Sequence, residues 1–476
     1  MISLGGLILC GFTRAKVEMA GTAKSGLADW VNGKKLYLLS FLLIVFVAQV
    51  IGLVLLYSCT YDEKVHVASG FCYLKTGQFH GGWNNPPAAQ MLLSLPYWLG
   101  LDDLDLLVNN APIAARVMNC LLGCLLAVSV FGMAYVVSDH RSALLALTMV
   151  GLSPTLTGLS AVAGTDIGVA AFGALAVLMM IVSMERDSMV GFLLTGLVCG
   201  FACGAKFSGF GIPVIVLFMF LTEKKLAWSR LLMVTATIIL ASWLAFSSLY
   251  LFEGCFQAKP RMKSNKVKAA IGYFLPKRAV LDMTVVARKA SNGWAVRILG
   301  RESKNGISWY YPVVFLLKAP LGTLLLFFCA LYLLVKELSF SREHRLFICF
   351  LMLVTPILLF NKAQCGVRHL TIAYPYLFVS VSVVLTKCLE QRWVAHVLAA
   401  ALFLNVVSLC TTYPLNLSYT NSLGAMICDD AFPVYGPDVD WGQDEYFLAK
   451  SLANQSLSDN VHILPQPIDS PLTGSI

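Results

Sequence analysis

Long, uninterrupted apolar runs constrain this chain more than any other feature of its sequence. The first, from Leu36 to Tyr57, is long enough to cross a bilayer, which takes about 20 apolar residues. Of the 476 residues, 58% are hydrophobic and only 13% are charged, and the mean hydropathy is +0.74. Because lipid offers no hydrogen bonds to the backbone, runs of this length favour helices. The sequence therefore predicts an all-α polytopic membrane protein.

The apolar runs predict eleven spans, two of which contain breaks. They lie at 36–57, 112–138, 142–162, 167–184, 189–204, 207–222, 231–252, 312–335, 346–360, 371–386 and 393–412. Pro154 interrupts the third run, and Gly204, Lys206 and Gly209 break the apolar stretch near 189–222. Non-helical backbone at membrane depth is tolerated where it lines a cavity. We therefore expect these breaks to form cavity walls.

The distribution of Lys and Arg predicts the orientation of the chain. These residues concentrate in the segment 1–35 and in every second short connection, which the positive-inside rule places in the cytoplasm. The prediction is a cytoplasmic segment 1–35, a transmembrane module 36–412 with external loops 58–111 and 253–311, and an extracytoplasmic tail 413–476. The first span is expected to act as a retained signal anchor. We expect a multi-pass integral membrane protein, in the inner membrane if the chain is bacterial.

The second external loop and the tail carry opposite charges. Loop 253–311 has twelve basic and three acidic residues, whereas the tail has eight acidic residues and one basic residue, Lys450. The basic loop is explained either by attraction to anionic headgroups or by capture of a phosphate-bearing lipid. The complementary charges also predict that loop and tail pack on each other.

Two adjacent carboxylates, Asp62 and Glu63, directly follow the first predicted span. A carboxylate at the edge of the bilayer is a candidate general base. The sequence favours Asp62 as this base, and the alternative for the pair is a helix N-terminus, where acids stabilise the helix dipole. Glu63 alternatively positions a helix or an acceptor.

Other ionisable residues lie inside or beside apolar runs, where they are costly unless they face a cavity or a partner. Asp166 is either a helix N-cap or a site residue that faces the first carboxylate pair or pairs with Arg116 or Lys206. Arg116 itself is assigned a structural or a ligand-binding contact. Lys206 and Arg368, which is followed by His369, either bind phosphate or extend to the interface.

Several motifs in order along the chain resemble a known family. The run DEKVHVASGFCYLKTGQF with NNPP, then TDIGVAAF, GAKFSGF, VRHLTIAYPYLF and GPDVDWGQDE are similar to blocks of the GT-C superfamily. Within it, they resemble the protein O-mannosyltransferases and the aminoarabinose transferases of lipid A, in glycosyltransferase family 39. The chain departs from this pattern at Asn85, where relatives usually carry His before the proline pair.

The resemblance implies a GT-C-like bundle of about eleven transmembrane helices with its active site on the extracytoplasmic loops. It implies an inverting glycosyltransferase that moves a sugar from a polyprenyl-phosphate donor to a hydroxyl of a protein, glycan or lipid. No metal, other cofactor or nucleic-acid partner is expected. The implied roles are catalysis by Asp62, Glu63 and Asp166, donor phosphate binding by Arg116, Lys206, Arg368 and His369, and lining of the substrate cavity by His66, Asn85 and Tyr311.

Two other classes of protein share some of these features. Secondary transporters also have charged residues and glycine-broken helices inside the membrane. A protein that binds a lipid-linked sugar without transferring it would show the same pocket. Long external segments and the lack of an internal repeat favour the enzyme over the transporter.

Overall fold

The computed structural model describes residues 34–79, 84–102, 111–223, 227–257, 272–293, 295–336, 341–427, 434–435 and 441–444. Nearly all of the predicted cytoplasmic segment 1–35 and most of the tail lie outside these ranges. In chain order the helices are α1 (Lys34–Leu56), α2 (Tyr61–Thr76), α3 (Pro87–Trp98), α4 (Ile113–Val137), α5 (His140–Gly151), α6 (Pro154–Ser160), α7 (Asp166–Arg186), α8 (Met189–Ala205), α9 (Gly211–Glu223), α10 (Trp228–Ser248), α11 (Lys277–Asn292), α12 (Tyr310–Lys318), α13 (Leu321–Lys336), α14 (Arg342–Phe360), α15 (Tyr374–Lys387), α16 (Arg392–Thr412) and α17 (Ser422–Ile427).

The long apolar helices confirm the prediction of a polytopic α-helical membrane protein. Among the described residues, six helices are long and apolar enough to cross a membrane, namely α1, α4, α7, α10, α14 and α16. Two bent helix pairs raise the number to eight, and the apolar helices Met189–Ala205, Phe207–Glu223 and Tyr374–Lys387 are shorter. The count of eleven spans stays a prediction.

The breaks in the apolar runs have local causes. Helices α5 and α6 meet at 67°, and Pro154 opens α6, as the sequence predicts. Helix α8 ends at Ala205, and a short 3₁₀ helix, Phe207–Phe210, separates it from α9. The prediction of one continuous span over 312–335 is wrong, because α12 and α13 meet at 118°. Ala319 is extended, as expected for a residue before proline.

The described part of the predicted first external loop contains two crossed helices, α2 and α3. They approach so closely at Gly70 that a Cβ atom there would lie 2.0 Å from the carbonyl oxygen of Gln90. The Ser94 hydroxyl donates to the carbonyl oxygen of Val67 at 2.7 Å across the same crossing. This packing fixes the first turn of α2, which carries the two adjacent carboxylates.

The second external loop and the tail pack together, as their opposite charges predict. Strands β1 (Val296–Ile298) and β2 (Arg301–Ser303) from the loop form an antiparallel sheet with β3 (Val434–Tyr435) from the tail, in the order β2-β1-β3. Further along the tail, residues 441–444 reach the first loop. There the Ser58 N–H donates to the Gln443 carbonyl at 2.9 Å, and the Tyr61 N–H donates to the Trp441 carbonyl at 3.2 Å.

A separate ionic network closes the opposite end of the bundle. Arg342 donates to Glu185 at 2.6 Å and to Glu223 at 2.7 Å, and Arg345 also pairs with Glu223. Since Glu185 lies near the C-terminal end of α7 while Asp166 begins that helix, this network is a helix length away from the predicted catalytic residues.

Candidate active site

An accessible ion pair joins the first external loop to the connection between α14 and α15. Asp62 lies in the first turn of α2, and Arg368 lies in the 3₁₀ helix Gly366–Leu370. Arg368 Nη1 is 3.3 Å from Asp62 Oδ2, and the two side chains are 15% and 25% exposed. The guanidinium stacks on the Trp441 ring, with Cζ 4.5 Å from the ring centroid. Its buried Nε has no hydrogen-bond partner among the described residues, so Arg368 retains donor capacity.

A second pair links the start of α7 to the break after α8. Lys206 Nζ lies 2.5 Å from Asp166 Oδ1. Asp166 is the first residue of α7 and is buried. The sequence leaves the partner of Asp166 open, and in the structure Asp166 pairs with Lys206. The break in the apolar run is what brings this lysine to the carboxylate.

The carboxylates of Asp62 and Asp166 both affect the pKa of one buried side chain, His66. Burial lowers the pKa of His66, and the charges of Arg368 and Lys206 lower it further, whereas Asp62 and Asp166 raise it. Four charged groups from separate parts of the chain therefore lie close enough to this ring to affect its pKa. All four are among the residues that the sequence predicts for the site.

One predicted cavity residue of the first loop, His66, is held by α3. His66 Nδ1 hydrogen-bonds with Gln90 Nε2 at 3.2 Å. Asn85 is half-buried and lies two residues before α3 begins. Contacts of His66 or Asn85 with a substrate stay predictions.

His369 belongs to a compact hydrogen-bonded group with Tyr311 and Asn361. The Tyr311 hydroxyl is 2.7 Å from His369 Nδ1. Asn361 Nδ2 lies 2.9 Å from the Tyr311 hydroxyl and 3.0 Å from His369 Nδ1. Sequence reasoning did not identify Asn361, and its only signal is a polar residue just after the apolar run 346–360.

Arg116 is buried and uses all five of its N–H groups. Nε donates to Glu63 Oε1 at 2.7 Å. Nη1 donates to the carbonyls of Val54 at 3.0 Å and Tyr57 at 2.8 Å. Nη2 donates to the Ser58 carbonyl and to Glu63 Oε2, both at 2.7 Å. No N–H of Arg116 remains for a donor phosphate, which supports the structural role that the sequence leaves open.

Glu63 is saturated in the same way. Besides Arg116, its carboxylate accepts the N–H of Thr60 at 2.8 Å and the N–H of Ala163 at 2.7 Å. It thereby ties α2 to α4 and to the turn before α7. These contacts support the alternative that Glu63 positions a helix, and its catalytic role stays a prediction.

The remaining candidate residues are possible metal ligands and cysteines. Within the described ranges, no three His, Cys, Asp or Glu side chains cluster so that they could hold a metal ion. In the described part of the chain, no disulfide joins Cys59, Cys72, Cys255 or Cys365, which the predicted topology places outside the cytoplasm. Cys428 lies outside the described residues.

Comparisons with known proteins find similarity in both sequence and fold. Residues 39–258 match the PMT family, described as dolichyl-phosphate-mannose-protein mannosyltransferase. No curated protein sequence matches the chain. The crystal structure of ArnT from Cupriavidus metallidurans in the apo state is 13% identical, covers 78% of this chain and 62% of ArnT, and superposes with a TM-score of 0.52. The same protein bound to undecaprenyl phosphate is 14% identical, with coverage of 82% and 66% and a TM-score of 0.54.

The matched family region contains Asp62, Asp166 and Lys206. The chain spans less than two thirds of the length of ArnT, and the likeness to that protein concerns the fold. Together with the apolar helices, these findings show an integral, multi-pass membrane protein. Residues 39–258 are thus similar to a mannosyltransferase family, and the fold of the chain is similar to that of ArnT.

Proposed function

We propose that this protein is an inverting glycosyltransferase that moves a sugar from a polyprenyl-phosphate donor to an acceptor hydroxyl on the extracytoplasmic side of the membrane. One observation carries the proposal. The accessible carboxylate of Asp62 lies 3.3 Å from Arg368, whose buried Nε has no hydrogen-bond partner in the part of the chain that the structure describes. A base beside a cation with spare donors suits a reaction that removes a proton from one substrate and releases a phosphate from the other.

The proposed reaction is a single displacement. The acceptor oxygen attacks the anomeric carbon, and its proton passes to the Asp62 carboxylate. The bond between that carbon and the phosphate oxygen breaks, and the electron pair leaves with polyprenyl phosphate. Arg368 and Lys206 stabilise the charge that develops on the phosphate. Attack from the face opposite the leaving group inverts the anomeric configuration.

Asp166 acts in this proposal through Lys206. A buried ammonium is costly unless a counter-charge accompanies it. At 2.5 Å, Asp166 provides that counter-charge and holds Lys206 at the break after α8. We infer that the pair keeps one cation in place beside the site before the donor arrives.

The substrates follow from the relatives by analogy. The matched family is described by dolichyl phosphate mannose and protein acceptors, and ArnT has been crystallised with undecaprenyl phosphate. We propose a polyprenyl-phosphate hexose as the donor, and a protein, glycan or lipid hydroxyl as the acceptor. If the chain is bacterial, the proposed location is the inner membrane.

The test is sugar transfer by the purified full-length protein. The protein in detergent is given a panel of labelled polyprenyl-phosphate sugars and an acceptor fraction. Asp62→Asn is expected to lower turnover by about 10²- to 10⁴-fold, the usual contribution of a general base, while donor binding is retained. Asp187→Asn is the matched control, because that carboxylate is 74% exposed and follows the far end of α7.

Two results would contradict parts of the proposal. Near-normal turnover of Asp62→Asn would show that Asp62 is not the base. If the wild type binds the donors but transfers none of their sugars, it is a binding protein for lipid-linked sugars.

A further inference from the structure

The hydrogen bonds around His369 determine which nitrogen of its ring carries a proton. The orientation of the neighbouring Asn361 amide is fixed, because the Ala363 N–H donates to Asn361 Oδ1 at 3.1 Å. The other end of the amide, Nδ2, is therefore the NH₂ group. This group lies 3.0 Å from His369 Nδ1 and 2.9 Å from the Tyr311 hydroxyl.

An amide NH₂ group only donates, so His369 Nδ1 is an acceptor and carries no proton. The Tyr311 hydroxyl, 2.7 Å from the same nitrogen, is compatible with this arrangement because a hydroxyl both donates and accepts. The ring proton is then on Nε2. A protonated ring would carry a hydrogen on both nitrogens and would place an N–H against the Asn361 NH₂ group.

The surrounding charges favour the same neutral form. Burial lowers the pKa of His369 well below its usual value, and the charges of Lys206 and Arg368 lower it further. Asp166 acts in the opposite direction but is paired with Lys206. The positive charges of Lys206 and Arg368 both act on the ring, so a third positive charge is unfavourable there.

We propose that Asn361 and Tyr311 are positioning residues that hold His369 as the neutral Nε2–H tautomer, which donates an uncharged hydrogen bond to the departing phosphate. The part of this inference that concerns the phosphate rests on the proposed function. The proton stays on Nε2 throughout, and no covalent bond of His369 forms or breaks. A neutral donor stabilises the leaving group without adding a third Coulombic attraction that would slow product release.

The tautomer is measured without any substrate. Full-length protein with ¹⁵N-labelled histidine is studied by NMR between pH 6 and 8, and His369 is assigned as the signal missing from His369→Gln. The wild type is expected to show one protonated nitrogen, Nε2. Asn361→Asp replaces the NH₂ group with a carboxylate, so we expect Nδ1 to gain a proton and the His369 pKa to rise. Gln391→Glu is the control, since it makes the same amide-to-acid change at an exposed position before α16.

Each result decides the inference. A wild-type ring protonated on Nδ1 or on both nitrogens at pH 7 overturns it, as does an unchanged His369 signal in a folded Asn361→Asp variant. If that variant does not fold, the wild-type spectrum alone decides the proton position.

The same variants separate positioning from a purely structural role. In the transfer assay, Asn361→Asp is expected to lower kcat about 10-fold, which is about 1.4 kcal/mol, with a pH profile displaced relative to the wild type. An undisplaced profile overturns the role of the tautomer in transfer. If the spectra agree with the inference but the wild type transfers no sugar, the proposed function fails while the proton position stands.

Discussion

The neighbouring carboxylates Asp62 and Glu63 occupy opposite environments. Asp62 is 25% exposed and makes one 3.3 Å contact with Arg368. Glu63 is 1% exposed and accepts two hydrogen bonds from Arg116 and two from backbone N–H groups. Consecutive side chains on a helix point about 100° apart, at 3.6 residues per turn. The first turn of α2 thus directs Asp62 towards Arg368 and the solvent and directs Glu63 into the bundle.

The two arginines repeat this contrast. All five donors of Arg116 are used by protein acceptors, whereas the buried Nε of Arg368 is unpaired among the described residues. A fully bonded buried pair contributes to holding the fold, and a partly bonded pair can exchange its partner for a substrate. Saturation of hydrogen bonds therefore separates the buried Glu63–Arg116 pair from the charges proposed to act in transfer better than residue type does.

The largest expected effect distinguishes the two acids by stability. Glu63→Gln leaves Arg116 without its counter-charge and is expected to lower the free energy of unfolding by about 3–5 kcal/mol. Asp62→Asn removes a partly exposed pair and should cost less than about 1 kcal/mol. Denaturant unfolding of both variants in the same detergent measures the difference. Equal losses would mean that the contrast in burial has no energetic counterpart.

Donor affinity distinguishes the two arginines next. Arg368→Ala removes charged hydrogen bonds to phosphate, each worth about 1.5–3 kcal/mol, so affinity for a polyprenyl phosphate is expected to fall about 10- to 100-fold. Arg230→Ala, in an exposed pair with Asp187, is the control and should bind normally. Unchanged affinity in Arg368→Ala would exclude Arg368 from the phosphate site.

A smaller effect is expected at the aromatic support of Arg368. Trp441→Leu removes a cation–π contact worth about 0.5–1 kcal/mol, so donor affinity should fall about 2- to 5-fold. Trp441→Phe retains a ring and should lose less. Identical binding by the two variants would show that the stacking seen at 4.5 Å does not hold the guanidinium in place for the donor.

The smallest expected effect concerns pH. Burial lowers the pKa of His66, so the unfolded state takes up a proton more readily than the folded state does. The stability that neutral His66 contributes to the folded state is fully present above the unfolded pKa of about 6.5. This stability is lost as the pH falls below that value. His66→Gln should make the decline in the thermal midpoint between pH 7.5 and 5.5 shallower. An unchanged decline would assign the pH dependence to other groups.

The sequence predicts the fold class well, because apolar runs and proline breaks are local signals. Pro154 and Lys206 mark real interruptions, and the pairing of Lys206 with Asp166 is among the alternatives that the residues suggest. The sharp turn at Ala319 was missed, although Pro320 follows it directly.

Partner choice within the site is less predictable. Glu63 and Arg116 are 53 positions apart, and which of two adjacent acids meets the arginine depends on the rotation of α2 in the bundle. Asn361 and Trp441 acquire their contacts only through tertiary packing. No local pattern distinguishes such residues from ordinary polar or aromatic ones.

The contact between Trp441 and Arg368 has a consequence for biosynthesis. Trp441 follows every long helix of the bundle in chain order, so a ribosome completes those helices before it adds the ring that supports Arg368. Until residues 441–444 pack against Ser58 and Tyr61, a nascent chain already inserted in the membrane lacks the ring that supports Arg368. Completion of the proposed site is thereby coupled to translation of this segment.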